Sequence, residues 1–446
     1  MTMHISLSAT CLRVKTPSLE AAGVVLSGPI GFELKPGEIN VIRGGNGVGK
    51  STLLRLMSNS LPGQCVLFKP EFGLRDELLV DTHLQIVLSH LGTNAHSVES
   101  LLERVGLANW QYERIGTLSS GQRARLGLCS LLAGQFKVWL LDEPLNALDH
   151  EGIATLAGAV ATHFDQGGIV FMATHVDASV LTQHLAGVPV KEGRLEQGKL
   201  LGGFVADAHL DDSRVDDSPA QETGRAAKVD FSALLQRDWA VTLGNPQALL
   251  WSALFHWMVL SFFGIGLGKP SAEFAQVAVW VSLLLALMLG AKDWFAEDYR
   301  TGWLGFVAGL NPDNIALYWL VRVVFLVLCQ VVVLVPVTGL VALQLGLHAT
   351  QTIDLAFALS VGIWAVAPLL GLIALLVMLT RGGAVLVYLL ALPLLVPVLI
   401  FGLEASQASG LGRSAIAPLA VLASLGMLGC LLGPFVAKRL VGLIQE

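Results

Sequence analysis

The stretch GGNGVGKST, from Gly44 to Thr52, decides the fold of the first part of the chain. It satisfies the pattern GxxxxGK[ST] with Gly44, Gly49, Lys50 and Ser51. The apolar segment EINVIR precedes it and STLLRLM follows it, so the loop joins a predicted strand to a predicted helix. Backbone N–H groups of such a loop surround phosphate oxygens, aided by the positive end of the helix dipole. The sequence therefore predicts an α/β domain with a phosphate-binding loop.

Residue types in this loop suit a nucleoside triphosphate bound with magnesium. We expect Lys50 to reach the β- and γ-phosphates and Ser51 to be a magnesium ligand. The remaining loop positions form the phosphate cradle, namely Gly44, Asn46, Gly47, Gly49 and Thr52. The predicted cofactors are therefore ATP and Mg²⁺.

A second apolar run, VWLLDE, ends in the acids Asp142 and Glu143. Asp142 suits magnesium, directly or through water, and Glu143 suits the general base that polarises the attacking water. By itself, an apolar run ending in two acids describes any buried strand that reaches solvent. The phosphate-binding loop favours the catalytic interpretation.

The motif LSSGQ begins at Leu118, shortly before this run. Here the chain resembles ATP-binding-cassette (ABC) ATPases, whose LSGGQ signature loop binds the γ-phosphate held by the opposite subunit. The resemblance implies nucleotide contacts from Ser119, Gly121 and Gln122, although Ser120 departs from the usual glycine. Since one ATP then needs the phosphate loop of one subunit and the signature loop of another, the resemblance implies a symmetric homodimer.

Two further positions match ABC ATPases, and a third departs from them. The segment NALD matches the D-loop, so the resemblance implies Asp149 at the nucleotide. His175 follows GIVFMAT and matches the switch histidine that contacts the γ-phosphate, beside the catalytic Glu143. Glu71 stands where the family has the Q-loop glutamine, which makes it a candidate metal ligand.

Composition divides the 446 residues into unlike parts. Hydrophobic residues make up 54% and charged residues 14%, and the apolar excess lies after Ala248. The net charge of −6 gives no basic patch, so nucleic acid is not an expected partner. The five cysteines are scattered without a CxxC motif, which favours reduced, small apolar residues. The N-terminus lacks the apolar core of a signal peptide, so we expect the first domain in the cytosol.

These patterns predict an α/β P-loop ABC ATPase domain over 1–202, a flexible acidic tether over 203–228 and an interfacial helix with transmembrane helices over 229–446. In KVDFSALLQRDWAVTL, helical spacing of Phe231, Leu234, Leu235 and Trp239 favours a helix in the membrane interface. The alternative is a cytosolic extension of the first span.

The membrane part is predicted to be all-α with six spans, like ABC-2 exporters, because each apolar stretch reaches about 20 residues. The spans lie near 248–268, 274–291, 316–346, 353–379, 383–402 and 415–437. Basic residues favour a cytoplasmic ATPase domain and C-terminus. The cytoplasmic basic residues would be Arg237, Lys292, Arg300, Arg322, Arg381, Lys438 and Arg439, against Lys269 and Arg413 outside.

The segment DWFAEDYRTGWLGF lies between the second and third predicted spans, on the cytoplasmic side. It mixes acidic and aromatic residues, which favours a coupling helix that docks on the ATPase over an ordinary charged loop. The candidate coupling residues are Glu297, Asp298, Arg300 and Trp303.

Closer matches point to one ABC system. QGGIVFMATH and DELLVDTHL resemble CcmA, the ATPase subunit of cytochrome c maturation, and DWFAEDYRTGWLGFV and RGGAVLVYLLALPLLVPVLIF resemble its membrane partner CcmB. Those subunits are ordinarily separate, so the chain resembles a fusion. The resemblance implies a bacterial inner-membrane complex with a CcmC-type haem-handling protein, a CcmD-type helper and a CcmE-type haem chaperone.

Two functions remain open at this point. The resemblance implies that ATP hydrolysis releases the haem-loaded chaperone from its haem-handling partner. The alternative is export of haem or another amphiphile. Mid-membrane ionisable residues are scarce, with His256 the main one, and this favours the first function because a polar substrate route needs such residues.

Overall fold

The computed structural model describes most of the chain as two compact units. The first comprises Met1–Ala233, Asp298–Asn314 and Gln445–Glu446, and the second comprises Leu234–Glu297 and Ile315–Ile444. The predicted tether, 203–228, lies outside the described residues, as do Lys269 and Arg381. The described residues are 4–7, 11–16, 19–21, 24–27, 30–71, 73–92, 97–176, 179–185, 187–196, 199–202, 230–267, 270–379, 384–408 and 410–445.

Strands in the described residues all lie in the first unit. They are β1 (His4–Leu7), β2 (Leu12–Thr16), β3 (Leu19–Ala21), β4 (Val24–Ser27), β5 (Ile30–Leu34), β6 (Ile39–Arg43), β7 (Cys65–Phe68), β8 (Val138–Asp142), β9 (Ile169–Ala173), β10 (Val190–Glu196) and β11 (Lys199–Gly202).

A six-stranded sheet in the order β11-β10-β6-β9-β8-β7 forms the centre of the first unit. Its strands pair in parallel except β10 with β11, and β8 and β9 are buried along their whole length. Parallel strands covered on both faces require continuous apolar runs, which VWLL and IVFM supply. The antiparallel sheets β1-β2-β5 and β3-β4 accompany it. This is the predicted P-loop α/β fold.

The first six helices along the chain belong to the first unit. They are α1 (Lys50–Ser60), α2 (Val80–Leu91), α3 (Val98–Arg104), α4 (Ser120–Ala133), α5 (His150–Asp165) and α6 (Ser179–Thr182). The register of β8 against β9 sets Asp142 beside Ala173, so the residues after both strands emerge at one sheet edge. The loop from β6 into α1 lies next to them, because β6 pairs with β9.

The second unit is helical. The helices that follow along the chain are α7 (Phe231–Gly244), α8 (Gln247–Leu267), α9 (Ala272–Ala291), α10 (Ala296–Arg300), α11 (Trp303–Leu310), α12 (Asn314–Gln344), α13 (Ala349–Leu379), α14 (Ala384–Gln407) and α15 (Ile416–Gln445). Of these, α11 belongs to the first unit, which also includes the last residues of α10. In the described residues five helices, α8, α9, α12, α13 and α15, are long and apolar enough to cross a membrane. The fifth predicted span coincides with α14, whose apolar segment Ala391–Gln407 is shorter, so a sixth crossing stays a prediction.

Helix α7 exposes an apolar stripe, as an interfacial helix would. Phe231, Trp239 and Leu243 are more than half exposed on one face. Leu234, expected from its spacing to share that face, is instead buried. The stripe is therefore narrower than the sequence indicated, and the interfacial position of α7 stays a prediction.

Charged residues hold α7 to α12 inside the second unit. Arg322 Nη1 lies 2.7 Å from Asp238 Oδ1, and Arg322 Nε donates to the Trp294 carbonyl at 3.2 Å. Arg237 Nη1 lies 3.5 Å from the same Asp238 oxygen. All three ionisable side chains are buried, so Arg237 and Arg322 have structural partners in addition to the topological signal read from the sequence.

Polar groups between the membrane helices satisfy one another. His256 Nε2 on α8 lies 2.8 Å from Thr338 Oγ1 on α12, and Ser282 Oγ on α9 lies 2.9 Å from His256 Nδ1. The Thr338 hydroxyl donates to the Leu334 carbonyl, so Thr338 Oγ1 is free to accept the proton on Nε2. These bonds fit a neutral histidine that joins three helices.

Candidate ATP site

The phosphate-binding loop is formed as the sequence predicts, between β6 and α1. Gly47 and Gly49 adopt φ values of +79° and +105°, where a side chain would be strained. Lys50 Nζ donates to the carbonyls of Gly44 at 2.7 Å and Gly45 at 3.1 Å. The ammonium group therefore lies over the loop, where a phosphate would compete with those two carbonyls for it.

A hydroxyl and a carboxylate meet at the end of β8. Ser51 Oγ donates to Asp142 Oδ1 at 3.0 Å, and Asp142 is 3% exposed. Both are hard oxygen donors, the type Mg²⁺ prefers alongside nucleotide phosphates. Together with phosphate oxygens, this pair would hold the ion.

Asp142 also forms an ion pair that the sequence did not indicate. Lys69 Nζ lies 2.6 Å from Asp142 Oδ2, and the Lys69 side chain is 34% exposed. Lys69 follows β7, the neighbour of β8 in the sheet, and this pairing brings the two residues together. The sequence did not predict this contact, because a lysine after a strand is usually solvated.

The predicted catalytic pair is in contact. Glu143 Oε2 lies 3.0 Å from His175 Nδ1 and 3.3 Å from the His175 backbone nitrogen. Asn146 Nδ2 donates to the same oxygen at 3.3 Å, a contact that sequence reasoning missed. Glu143 has a φ of +51° and its N–H donates to the Ala173 carbonyl at 2.8 Å, so its backbone is fixed at a turn. Three groups thus orient one carboxylate oxygen.

The signature motif caps α4. Ser119 Oγ accepts from the Gln122 backbone N–H at 3.3 Å, and Gln122 Oε1 accepts from the Ser119 N–H at 2.9 Å, which is a capping box. Gly121 packs so that an added Cβ would lie 3.3 Å from Asp149 Oδ2. The N-terminal end of α4 is exposed, and the positive end of the helix dipole there suits an anion.

The D-loop residue Asp149 caps the next helix, α5, by accepting from the Gly152 N–H at 2.9 Å. Arg125 Nη2 lies 3.5 Å from Asp149 Oδ2, and Arg125 Nη1 lies 2.6 Å from Glu151 Oε2. Asp149 is about half exposed, so it keeps a solvent-facing side. The structure thus joins Asp149 to the signature helix, and Arg125 is the link that the motif search missed.

Glu71 lies in the loop after β7 in a left-handed conformation, with a φ of +65°, and it is exposed. A non-glycine residue with this backbone is uncommon. Its role as a metal ligand stays a prediction.

The same loop contacts the segment 298–314, which belongs to the first unit. Arg75 Nη1 lies 2.8 Å from Asp298 Oδ1, with the two side chains 6% and 0% exposed. The Gly73 N–H donates to the Thr301 carbonyl at 2.6 Å. Arg75 Nε also lies 3.1 Å from Glu77 Oε2. The segment is thus fixed to the loop by a buried ion pair and a backbone hydrogen bond.

Aromatic packing extends this contact. Trp303 is 1% exposed and meets the His90 ring edge to face at 5.1 Å. Further along, the Gly63 N–H donates to the Gly309 carbonyl at 3.1 Å. Of the four predicted coupling residues, Asp298 and Trp303 are therefore buried in the first unit, which holds the candidate ATP site and is called the ATPase unit below. Arg300 is exposed, and Glu297 belongs to the second unit.

Three other titratable side chains of the first unit, those of Cys65, Cys129 and His163, have structural roles. Burial raises the pKa of the Cys65 and Cys129 thiols to about 12, so neither is a reactive thiolate. Burial also lowers the pKa of His163 to about 4, and its ring stacks on Trp139 at 4.1 Å. These groups agree with the interpretation of the cysteines as small apolar residues.

Comparisons with known proteins agree with this geometry. The ABC transporter family model matches residues 28–146, and the CcmB protein family model matches residues 229–442. The cytochrome c biogenesis ATP-binding export protein CcmA of Rhodobacter capsulatus is 33% identical over 206 residues, covering 44% of this chain and 95% of that protein.

Two further relatives carry the same name. The protein of Cereibacter sphaeroides is 34% identical over 176 residues, covering 37% of this chain and 83% of that protein. The protein of Vibrio parahaemolyticus is 34% identical over 169 residues, covering 33% of this chain and 82% of that protein. With its nucleotide motifs in place, this chain belongs to the CcmA family of cytochrome c biogenesis ABC ATPases, joined in one polypeptide to a CcmB membrane domain.

Proposed function

We propose that this chain uses ATP hydrolysis to drive release of a haem-loaded CcmE-type chaperone from a CcmC-type partner and its CcmD-type helper. It would act as a homodimer in the bacterial inner membrane, with the ATPase on the cytoplasmic side. The observation that carries the proposal is the burial of Asp298 and Trp303 in the ATPase unit. A membrane-domain loop fixed in the ATPase unit can carry its movement into the membrane helices.

The chemistry assigns a role to each side chain of the site. Lys50 and the loop amides would bind the phosphates, and Ser51 with Asp142 would hold magnesium, which would neutralise phosphate charge. Glu143 would accept the proton of the attacking water, and His175, in contact with its carboxylate, would keep it oriented and contact the γ-phosphate. The capped end of α4, with Ser119, Gly121 and Gln122, would complete the site across the dimer, beside Asp149.

Coupling follows from the loop after β7. It starts next to the metal-binding Asp142 and ends at the ion pair of Arg75 with Asp298. Nucleotide-dependent movement of this loop would therefore pull on the segment that leads into α12. The exposed stripe of α7 supports contact of that helix with membrane lipid.

Export of haem or another amphiphile is the second candidate. An apolar groove between the start of α8 and the end of α9, lined by residues such as Trp251, Phe255 and Lys292, would suit such a molecule. The internally bonded His256 cluster supports release over export, because these polar groups are committed to one another.

The test is Glu143→Gln in membranes reconstituted with the three partners. The variant should bind ATP and close as a dimer but neither turn over nor release the chaperone. Normal release by this variant would refute the proposal. Haem flux into vesicles that hold this chain alone would favour export.

A further inference from the structure

Lys69 is a cation that no motif assigns, and it lies on the carboxylate expected to hold magnesium. We infer that Lys69 is a tethered counter-ion of Asp142, which must be released when Mg²⁺ and ATP bind. It would thus set the Mg²⁺ concentration that nucleotide binding needs. The inference rests on the proposed ATP site and deepens it.

The charges around Asp142 explain why a counter-ion is needed. Asp142 is 3% exposed, and a carboxylate at this depth is costly unless it is paired. The Ser51 hydroxyl bonds to Oδ1, which leaves Oδ2 to Lys69 at 2.6 Å. Lys50, the other nearby cation, is bonded to the carbonyls of Gly44 and Gly45. Among the residues that the structure describes, Lys69 is therefore the cation paired with Asp142.

A partly exposed ammonium can exchange with a metal ion, because its outer side already faces solvent. Lys69 is 34% exposed, so it can leave Oδ2 without crossing the core. Once Asp142 faces a divalent cation, like charge repels the ammonium. Two consequences follow. Lys69 opposes metal binding, and in the absence of metal it lowers the electrostatic cost of placing triphosphate near the carboxylate.

The position of Lys69 in the chain adds a route for the signal. Lys69 and Arg75 belong to the same short loop, and Arg75 holds Asp298 while Gly73 holds Thr301. Release of Lys69 from Asp142 frees the start of a loop whose far end holds the coupling segment. The exchange would therefore report metal-bound nucleotide directly to residues 298–314.

The test is equilibrium binding of a fluorescent, non-hydrolysable ATP analogue to the purified full chain, titrated with Mg²⁺ and repeated in EDTA. Lys69→Met should lower the half-saturating Mg²⁺ concentration by about threefold to fivefold, the upper part of the range for loss of one partly exposed ion pair. It should also weaken binding of the analogue in EDTA. Lys69→Arg keeps the charge and should stay within about twofold of wild type.

The matched control is Lys191→Met. Lys191 has the same 34% exposure as Lys69 and pairs with Glu38 at 2.7 Å, away from Asp142, so its loss should leave the Mg²⁺ dependence unchanged. An unchanged Mg²⁺ dependence in Lys69→Met, or an increased requirement, overturns the inference. A shift in Lys69→Arg as large as the one expected for Lys69→Met also overturns the inference. This second result can be read even if Lys69→Met does not fold.

This assay separates the two proposals. It measures binding without turnover and without chaperone or haem partners. A shifted Mg²⁺ dependence together with normal release by Glu143→Gln would retain the role of Lys69 and reject chaperone release. A chain that binds no nucleotide analogue would reject both.

Discussion

Removing the Asp298 carboxylate should undock the coupling segment from the ATPase unit. Asp298 and Arg75 are buried, and loss of one partner of a buried ion pair costs about 3–5 kcal/mol, since the other charge stays in the interior. Glu77 remains beside Arg75 Nε, so we expect the lower end, about 3 kcal/mol. That is roughly a hundredfold shift towards the undocked state.

Hydrogen exchange of backbone amides measures this shift directly. The Gly73 and Gly63 amides donate to carbonyls of the segment, so peptides containing them report docking. In Asp298→Ala these peptides should exchange about tenfold to a hundredfold faster, while basal ATP hydrolysis remains and chaperone release falls. Glu196→Gln is the control, because its pair with Arg194 is exposed and its loss should cost about 0–1 kcal/mol.

A double variant sharpens the result. Arg75→Met with Asp298→Leu removes both buried charges, and such replacements are often close to neutral in stability. It should recover much of the protection lost in Asp298→Ala. Unchanged exchange of the Gly73 peptide in Asp298→Ala would refute the docking argument.

Three further predictions concern packing, pH and the signature loop. Gly362→Val should destabilise the membrane unit by about 1–3 kcal/mol, read as thermal unfolding in detergent, because an added Cβ overlaps the Trp280 ring. Burial lowers the pKa of His163 in the folded state to about 4, below its ordinary value of 6.5, so the unfolded state takes up the proton first as pH falls. The associated stability is present above pH 6.5 and lost towards pH 4, and His163→Phe should make the free energy of unfolding less dependent on pH in that window. Ser119→Ala should cost α4 about 1 kcal/mol through loss of its cap and should abolish cooperative ATP hydrolysis, while single-site nucleotide binding persists.

The elements around the nucleotide were predictable because their signals are local. The phosphate-binding loop and the run ending at Glu143 combine residue type with strand or helix periodicity over a few positions. Short windows of sequence fix the backbone there, and the structure forms β6, α1, β8 and β9 as expected. The capping box of Ser119 and Gln122 is local too, and it explains why the signature motif starts a helix.

Contacts between distant residues were not predictable. Arg75 and Asp298 are 223 positions apart, and a charge in a loop gives no sign that it will be buried. Lys69 meets Asp142 only because β7 and β8 are neighbours in the sheet. Helical spacing placed Leu234 in the exposed apolar stripe of α7, but packing in the structure buries this residue. Tertiary partners decide which charged or apolar side chains become buried.

The measurement that tests the account most directly is chaperone release in vesicles holding this chain and the three partners, followed together with ATP turnover. Wild-type chain should release haem-loaded chaperone with ATP but not with a non-hydrolysable analogue, and Glu143→Gln should fail with both. Release that proceeds at the wild-type rate with the analogue, or in Glu143→Gln, would contradict the claim that hydrolysis at this site drives the partner.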